Sequence, residues 1–283
     1  MEQASKTAVR NKKLDYARRT VLTYAFKRSR IAAAIVLLLT GAIIVIIWYR
    51  GQGRELYIPI VGSVLMAGIG YLASRLAANI LSTMENTRYL GYLHMELDPK
   101  KFLSHYEGVP EKVKGNRVTA YSYLADGYWA DGQFAKAIET LRKDHPEDIS
   151  LMGLQSSKLA AYYLAAGDKA GAKHQLERLQ TVVDKTRTSN KALSDNMQDS
   201  LSLYRQYLTV LNQQAANRDL LRQAFQKAQY NIRRLEISQI LAMDALRSHD
   251  TAEASKELQY LTEHGGKTFF TDWAKARQEG SSL

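Results

Sequence analysis

Hydrophobic and polar residues alternate along this chain in two different ways. Residues 31–49, IAAAIVLLLTGAIIVIIWY, run for 19 positions without a charge, and a second apolar run, LYIPIVGSVLMAGIGYLAS at residues 56–74, follows after six residues. About 20 apolar residues cover a ~30 Å hydrocarbon core as a helix, and soluble helices rarely stay apolar on every face for that length. The pattern predicts two membrane-spanning helices, and so short a connection makes them a hairpin. From about residue 83 apolar positions recur every three or four residues instead, as in Leu124 with Tyr128 and Leu159 with Tyr163. That spacing predicts amphipathic helices with one face toward a core.

The amphipathic part repeats itself. Residues 124–141, LADGYWADGQFAKAIETL, align with residues 159–176, LAAYYLAAGDKAGAKHQL, at a shift of 35 with 8 of 18 positions identical, and residues 241–258 give a weaker third copy. The shared order is large apolar, small, turn, small, small, large, which predicts helical hairpins. Gly132, Gly167 or His249 ends one helix, Asp168 or Asp250 caps the next, and the alanines after the turn allow close approach of the two axes. Residues 194–228, broken by NQQAANRD, have the same spacing and are expected to form a diverged hairpin. One hairpin cannot bury its own apolar face, so about four are expected to stack. Asp98-Pro99 starts a helix, PKKFLSHYEGV, expected to cover the first hairpin, and Phe269, Phe270 and Trp273 are expected to cap the last.

Tyr121, Leu124, Ala125, Tyr128, Ala137 and Leu141, then Leu159, Ala160, Tyr163, Ala172 and Leu176, then Leu241, Ala242, Ala254 and Leu258 carry a resemblance to the tetratricopeptide repeat over roughly residues 117–262. The resemblance implies an all-α fold: a transmembrane hairpin followed by a TPR-like α-solenoid. The expected organisation is a basic tail (1–30), two spans (31–82), a juxtamembrane linker and helix (83–116), the repeat domain (117–278) and a short tail (279–283). The resemblance also implies a concave face that receives another protein. In the family's register the inner positions are Ser122, Asp126 and Trp129, then Ser157, Ala161 and Leu164, then Gln239, Met243 and Arg247. Trp129 is either an exposed aromatic anchor in that groove or packed between helices.

Charge refines the picture. The net charge is +11, but residues 1–30 hold nine Lys and Arg against Glu2 and Asp15, while residues 83–283 hold 27 basic and 25 acidic side chains. The basic excess belongs to the tail, which argues against nucleic acid as a partner, since phosphate binding needs cations clustered on the folded surface. By the positive-inside rule the tail, and with it the repeat domain, is expected in the cytoplasm, making the protein integral to the cell membrane with both termini inside. Trp48, Tyr49 and Tyr57 then form the outer aromatic belt. Arg18, Arg19, Lys27, Arg28 and Arg30 are placed to attract anionic lipid at ~1 kcal/mol each. Gly70, Ser74 and Ala78 make a small-residue stripe suited to close packing, either within the hairpin or between two protomers of a homo-oligomer.

Reactive motifs are sparse. The six histidines show no metal-ligand spacing, and GGKT at 265–268 lacks the first glycine of a phosphate-binding loop because position 261 is Leu. No cofactor and no catalytic residue are expected. The expected function is that of a membrane-anchored adaptor or scaffold binding a protein partner through its repeats; the alternative is a non-catalytic accessory subunit of a membrane enzyme or transporter, held by its hairpin.

Overall fold

The computed structural model describes residues 26–51, 57–113 and 117–280, and every regular element among them is a helix. The chain divides into two compact units, Met1–Arg88 with Gly108–Arg117, and Tyr89–Glu107 with Val118–Leu283.

The first unit contains two helices long and apolar enough to span a membrane, α1 (Lys27–Arg50) and most of α2 (Tyr57–His94). α2 continues well past the predicted end of the second span, because residues 71–90 contain neither Gly nor Pro to stop it. Nearly all of the apolar surface of both helices is bare: Leu38 is 75 % exposed and Val64 and Leu72 are each 67 % exposed. Apart from Glu85, what α1 and α2 bury across their facing stripes is small or hydroxylic. Ser29, Ala33 and Thr40 form the covered stripe of α1, and Ser74, Ala78 and Ser82 are buried on α2. A methyl group at Gly70 would overlap the Thr40 side chain, so the glycine is what lets the two backbones approach there. The Gly70 end of the small-residue stripe is therefore engaged within the hairpin. Three of the buried hydroxyls donate to backbone carbonyls one turn back, Ser29 to Phe26 O and Thr40 to Val36 O at 2.8 Å, and Ser74 to Tyr71 O at 2.9 Å. No polar atom of these three residues then requires water. Arg28 Nε lies 3.7 Å from Glu85 Oε1 near the open end of the hairpin. A short α4 (Val109–Lys112) also belongs to this unit.

The second unit is a stack of helical hairpins. It opens with α3 (Pro99–Tyr106), whose first turn is closed by Asp98 accepting the Lys101 N–H at 3.0 Å. The hairpins are α5 (Val118–Ala130) with α6 (Phe134–Arg142), α7 (Ile149–Ala165) with α8 (Lys169–Thr186), α9 (Lys191–Leu211) with α10 (Arg218–Lys227), and α11 (Asn231–Arg247) with α12 (Thr251–His264); α13 (Phe269–Gly280) closes the series. The turns follow the expected chemistry. Gly132, Gly167 and His249 have φ of +78°, +77° and +56°, while Asp168 and Asp250 accept the N–H of Gly171 and Glu253 at 2.9 and 3.2 Å.

α5, α7, α9 and α11 pack against one another in sequence as an inner layer, with α6, α8, α10 and α12 outside. α5, α7 and α11 are buried over most of their length, as in the unbroken buried run from Leu235 to Ala242, while α9 buries one face. α3 covers α5 as expected, and Gly127 is the contact point: a Cβ there would lie 2.6 Å from Phe102 Cδ1. Regularity fails at the third hairpin, where α10 packs on α11 more than on its own partner α9.

The two ends of this stack meet. The Lys267 N–H donates to Leu97 O at 2.9 Å, and its ammonium reaches Asp98 Oδ2 at 2.6 Å. The segment entering α13 lays Phe269 and Phe270 against Trp129 of α5, with ring centroids 5.6 and 5.4 Å apart and near-perpendicular planes.

Candidate functional site

The inner positions named from the sequence do fall on the inner helices, but they do not line an open groove. Ser122, Trp129, Ala161, Leu164 and Gln239 are buried, and Asp126, Ser157, Met243 and Arg247 are half-buried. Of the two readings of Trp129 the packed one holds: at 7 % exposure it lies between Tyr162, Phe269 and Phe270. The cause is the fold-back of the C-terminal segment, which brings two phenylalanines to the inner face of the first hairpin. Of the basic residues, Lys27, Arg28 and Arg30 are exposed on the first turn of α1, while Arg18 and Arg19 lie outside the described residues.

Between the inner helices lies a polar core. Asp126 accepts a hydrogen bond from the Tyr162 hydroxyl at 2.6 Å and pairs with the Lys158 ammonium. Arg233 donates to Tyr204 Oη at 2.8 Å and to Glu236 Oε2 at 2.6 Å. Burial pushes the Glu236 carboxyl above the usual carboxylate range, although Arg233 opposes the shift. Burial likewise raises the Tyr162 and Tyr204 hydroxyls. Two cations facing two carboxylates balance the charge of this core, although Glu236 Oε1 is left without a hydrogen bond; removing one member would strand its partner at low dielectric.

The open feature lies in the outer layer. A cleft of about 540 Å³ runs between α10 and α12, walled by Phe225 and Tyr260 and floored by Leu241 of α11. The two aromatic rings meet edge to face at 5.2 Å. A second cavity of about 300 Å³ shares those two rings and continues past them toward Arg234, Leu235 and His264. Charged and amide groups ring the mouth: Arg222 pairs with Glu253 at 3.0 Å, and Gln259 donates to Glu263 at 2.7 Å. Buried Glu257 takes the Ser238 hydroxyl at 2.5 Å. An apolar trough with aromatic walls and a polar rim has the composition of a protein-docking groove.

α10 stands off from α12 because it is held at its start. Arg218 donates to Asp244, Asp250 and Ser248, each at 2.7 Å, and Asp244 also accepts from the Ala216 N–H and from Arg247, both at 3.0 Å. Burial works against ionisation of Asp244, but these donors outweigh it and hold its carboxyl below the usual range. Leu221 is the only fully buried residue of α10, which leaves Phe225 half-buried as one wall.

The polar core has a faint trace in the sequence, since Asp126 and Lys158 are the single charges of α5 and α7, whereas Glu236 sits among the other charges of α11. The cleft has less: Phe225 and Tyr260 read as ordinary core positions, and nothing local announces that α10 fails to seat on α9. Comparison of the chain with known protein families, with curated proteins and with solved structures gave no match in any of the three.

Proposed function

We propose that this protein is a membrane-anchored adaptor whose hairpin fixes it to the bilayer and whose tetratricopeptide-type repeats hold a protein partner at the cytoplasmic face, acting by binding and not by catalysis. The reading rests on the conjunction of a hairpin that leaves its apolar faces bare with a near-neutral helical stack that carries an open aromatic-walled cleft. Bare apolar surface on that scale suits lipid. Exposed Lys27, Arg28 and Arg30 at the start of α1 support the inside assignment of that end. The cleft moves the partner site from the inner face around Trp129 to the outer layer between α10 and α12.

A photo-crosslinking amino acid at Gln259, on the cleft wall, tests the site in intact cells. A discrete adduct that disappears with Phe225→Ala is expected, and a control probe at Lys173 on α8 should give none. The same diffuse products from both positions would reject the cleft. The chain has no cysteine, so Lys173→Cys offers a single thiol for topology. Labelling by a membrane-impermeant maleimide in unbroken cells would overturn the cytoplasmic assignment.

One observation favours the accessory-subunit reading. A Cβ built at Gly41 or at Gly68 meets nothing within 4 Å, so both helices of the hairpin carry open notches at which another membrane helix could pack closely. Replacing the spans with an unrelated anchor separates the two: an adaptor keeps its partner, an accessory subunit loses it.

A further inference from the structure

A second cavity, unconnected with the α10–α12 cleft, lies at the open end of the second hairpin. α7 and α8 stay close where a Cβ at Gly153 would lie 3.0 Å from Val182 Cγ1, and beside that contact, toward the end away from the Gly167–Asp168 turn, is a space of about 310 Å³. α7 contributes Ile149, Met152 and Ser156 to it; α8 contributes Arg178, Val182 and Lys185, with Thr181 between. Spacings of three and four residues put each set on one face of its helix, so the lining is two opposed helix faces and not a surface irregularity.

Three features of the lining point to an occupant. The Ser156 hydroxyl is buried, 1 % exposed as a residue, and has no hydrogen-bond partner among the described residues. Buried polar groups in folded proteins are paired as a rule, so an orphaned hydroxyl on a residue of the cavity wall leaves one hydrogen bond that a small shift of that wall would open to an occupant. The side chain of Arg178, half-buried on the wall, makes no ion pair or hydrogen bond with any described residue, and neither does the ammonium of exposed Lys185 at the mouth. A guanidinium presents five donors in a fixed fork suited to a carboxylate or phosphate. Glu147 stands on the rim as well, so the lining carries two cations against one carboxylate. The remainder, Ile149, Met152 and Val182, is apolar.

We propose that this cavity binds a small amphiphile with an anionic oxygen head and an apolar body. The head sits between Arg178 and Lys185, within reach of the Ser156 hydroxyl, and the body lies on Met152 and Val182. The volume is about twice the ~150 Å³ of a cavity that holds one benzene, which limits the occupant to roughly a dozen heavy atoms. It is also at the lower end of the ~300–1,000 Å³ range of small-molecule sites. A free medium-chain carboxylate and the head region of an anionic lipid share this chemistry.

Met152 makes the site observable. With the seven methionines carrying 13C-methyl groups and the full chain in phosphatidylcholine nanodiscs, sodium decanoate is expected to shift the Met152 methyl resonance saturably. Decanol, with the same chain and no charge, should bind at least tenfold more weakly, and Met243 should stay in place as the internal control against bilayer effects. Arg178→Gln should weaken decanoate at least tenfold with Tm unchanged, since Arg178 makes no contact that folding depends on. Ser156→Ala should weaken it less. A Met152 shift already present in phosphatidylglycerol nanodiscs without decanoate identifies lipid as the source; its absence there identifies the free carboxylate. A Met152 resonance that ignores decanoate, follows decanol equally, or responds the same in the Arg178→Gln protein overturns the proposal.

Discussion

Trp129 offers the clearest quantitative test of how the repeat unit is built. A buried Trp removes roughly 150–250 Å² from water, worth about 4–6 kcal/mol at ~25 cal/mol per Å². Alanine keeps the Cβ contact and the cavity partly collapses, which brings the expected cost of Trp129→Ala to ~3–5 kcal/mol. Its edge-to-face contacts with Phe269 and Phe270 lie within that figure. The indole N–H has no partner in the protein, so Trp129→Phe loses volume but no hydrogen bond and should cost only ~1–2 kcal/mol. At ~2–4 °C per kcal/mol for a unit of this size, the alanine variant should melt about 6–20 °C below wild type and the phenylalanine variant about 2–8 °C below. Thermal unfolding of the full chain in nanodiscs, followed by circular dichroism, reads both. A fall of under ~3 °C for Trp129→Ala, with loss of the Gln259 crosslink, would refute the packed role and restore Trp129 as a binding anchor.

Two further outcomes follow from the packing and the charges. Gly70→Val should destabilise the α1–α2 hairpin by ~1–3 kcal/mol, measured by unfolding in mixed micelles, because its side chain must overlap Thr40; Thr40→Gly in the same chain should recover much of that cost, and strictly additive costs would show that the two sites do not meet. The Asp244 carboxyl titrates below its ordinary value when folded, so its contribution is complete above the unfolded pKa of ~3.9 and lost as pH falls through the lower folded value. Hydrogen exchange at the start of α10, corrected for intrinsic rate, should therefore accelerate in that acid window, and Asp244→Asn should raise exchange at neutral pH while flattening the acid response; an unchanged acid response in the variant would assign it to another group.

Much of the architecture was legible because its causes are local. Continuous apolar runs specify α1 and the first part of α2. Gly132, Gly167, Asp168 and Asp250 specify turns through backbone sterics and capping, and these act within a few residues. The inner and outer helices follow from periodicity. What periodicity cannot carry is the meeting of distant segments. Phe269 and Phe270 are ordinary aromatic residues at the start of a helix until the chain returns to Trp129, 140 positions upstream of the first of them. The α10–α12 cleft depends on Arg218 finding Asp244 and Asp250, a long-range pairing of three common surface residue types. Arg178 and Ser156 carry no signature at all: only the folding of α8 back beside α7 makes them walls of one cavity.

The junction between Lys267 and the Leu97–Asp98 turn, 169 residues apart along the chain, has a consequence for how such a protein changes over evolutionary time. An open repeat array is a sum of neighbour terms, so it can gain or lose a unit by duplication or deletion and still fold. A latched array cannot, because an added unit would carry α13 away from Leu97 and Trp129 and leave both ends uncovered. The number of hairpins is thereby pinned, and substitutions become the main route to variation. The same latch makes the unit's folding depend on contacts of very high sequence separation, so it should form more slowly than an open stack of equal size and melt as one body, without the end-fraying of repeat arrays.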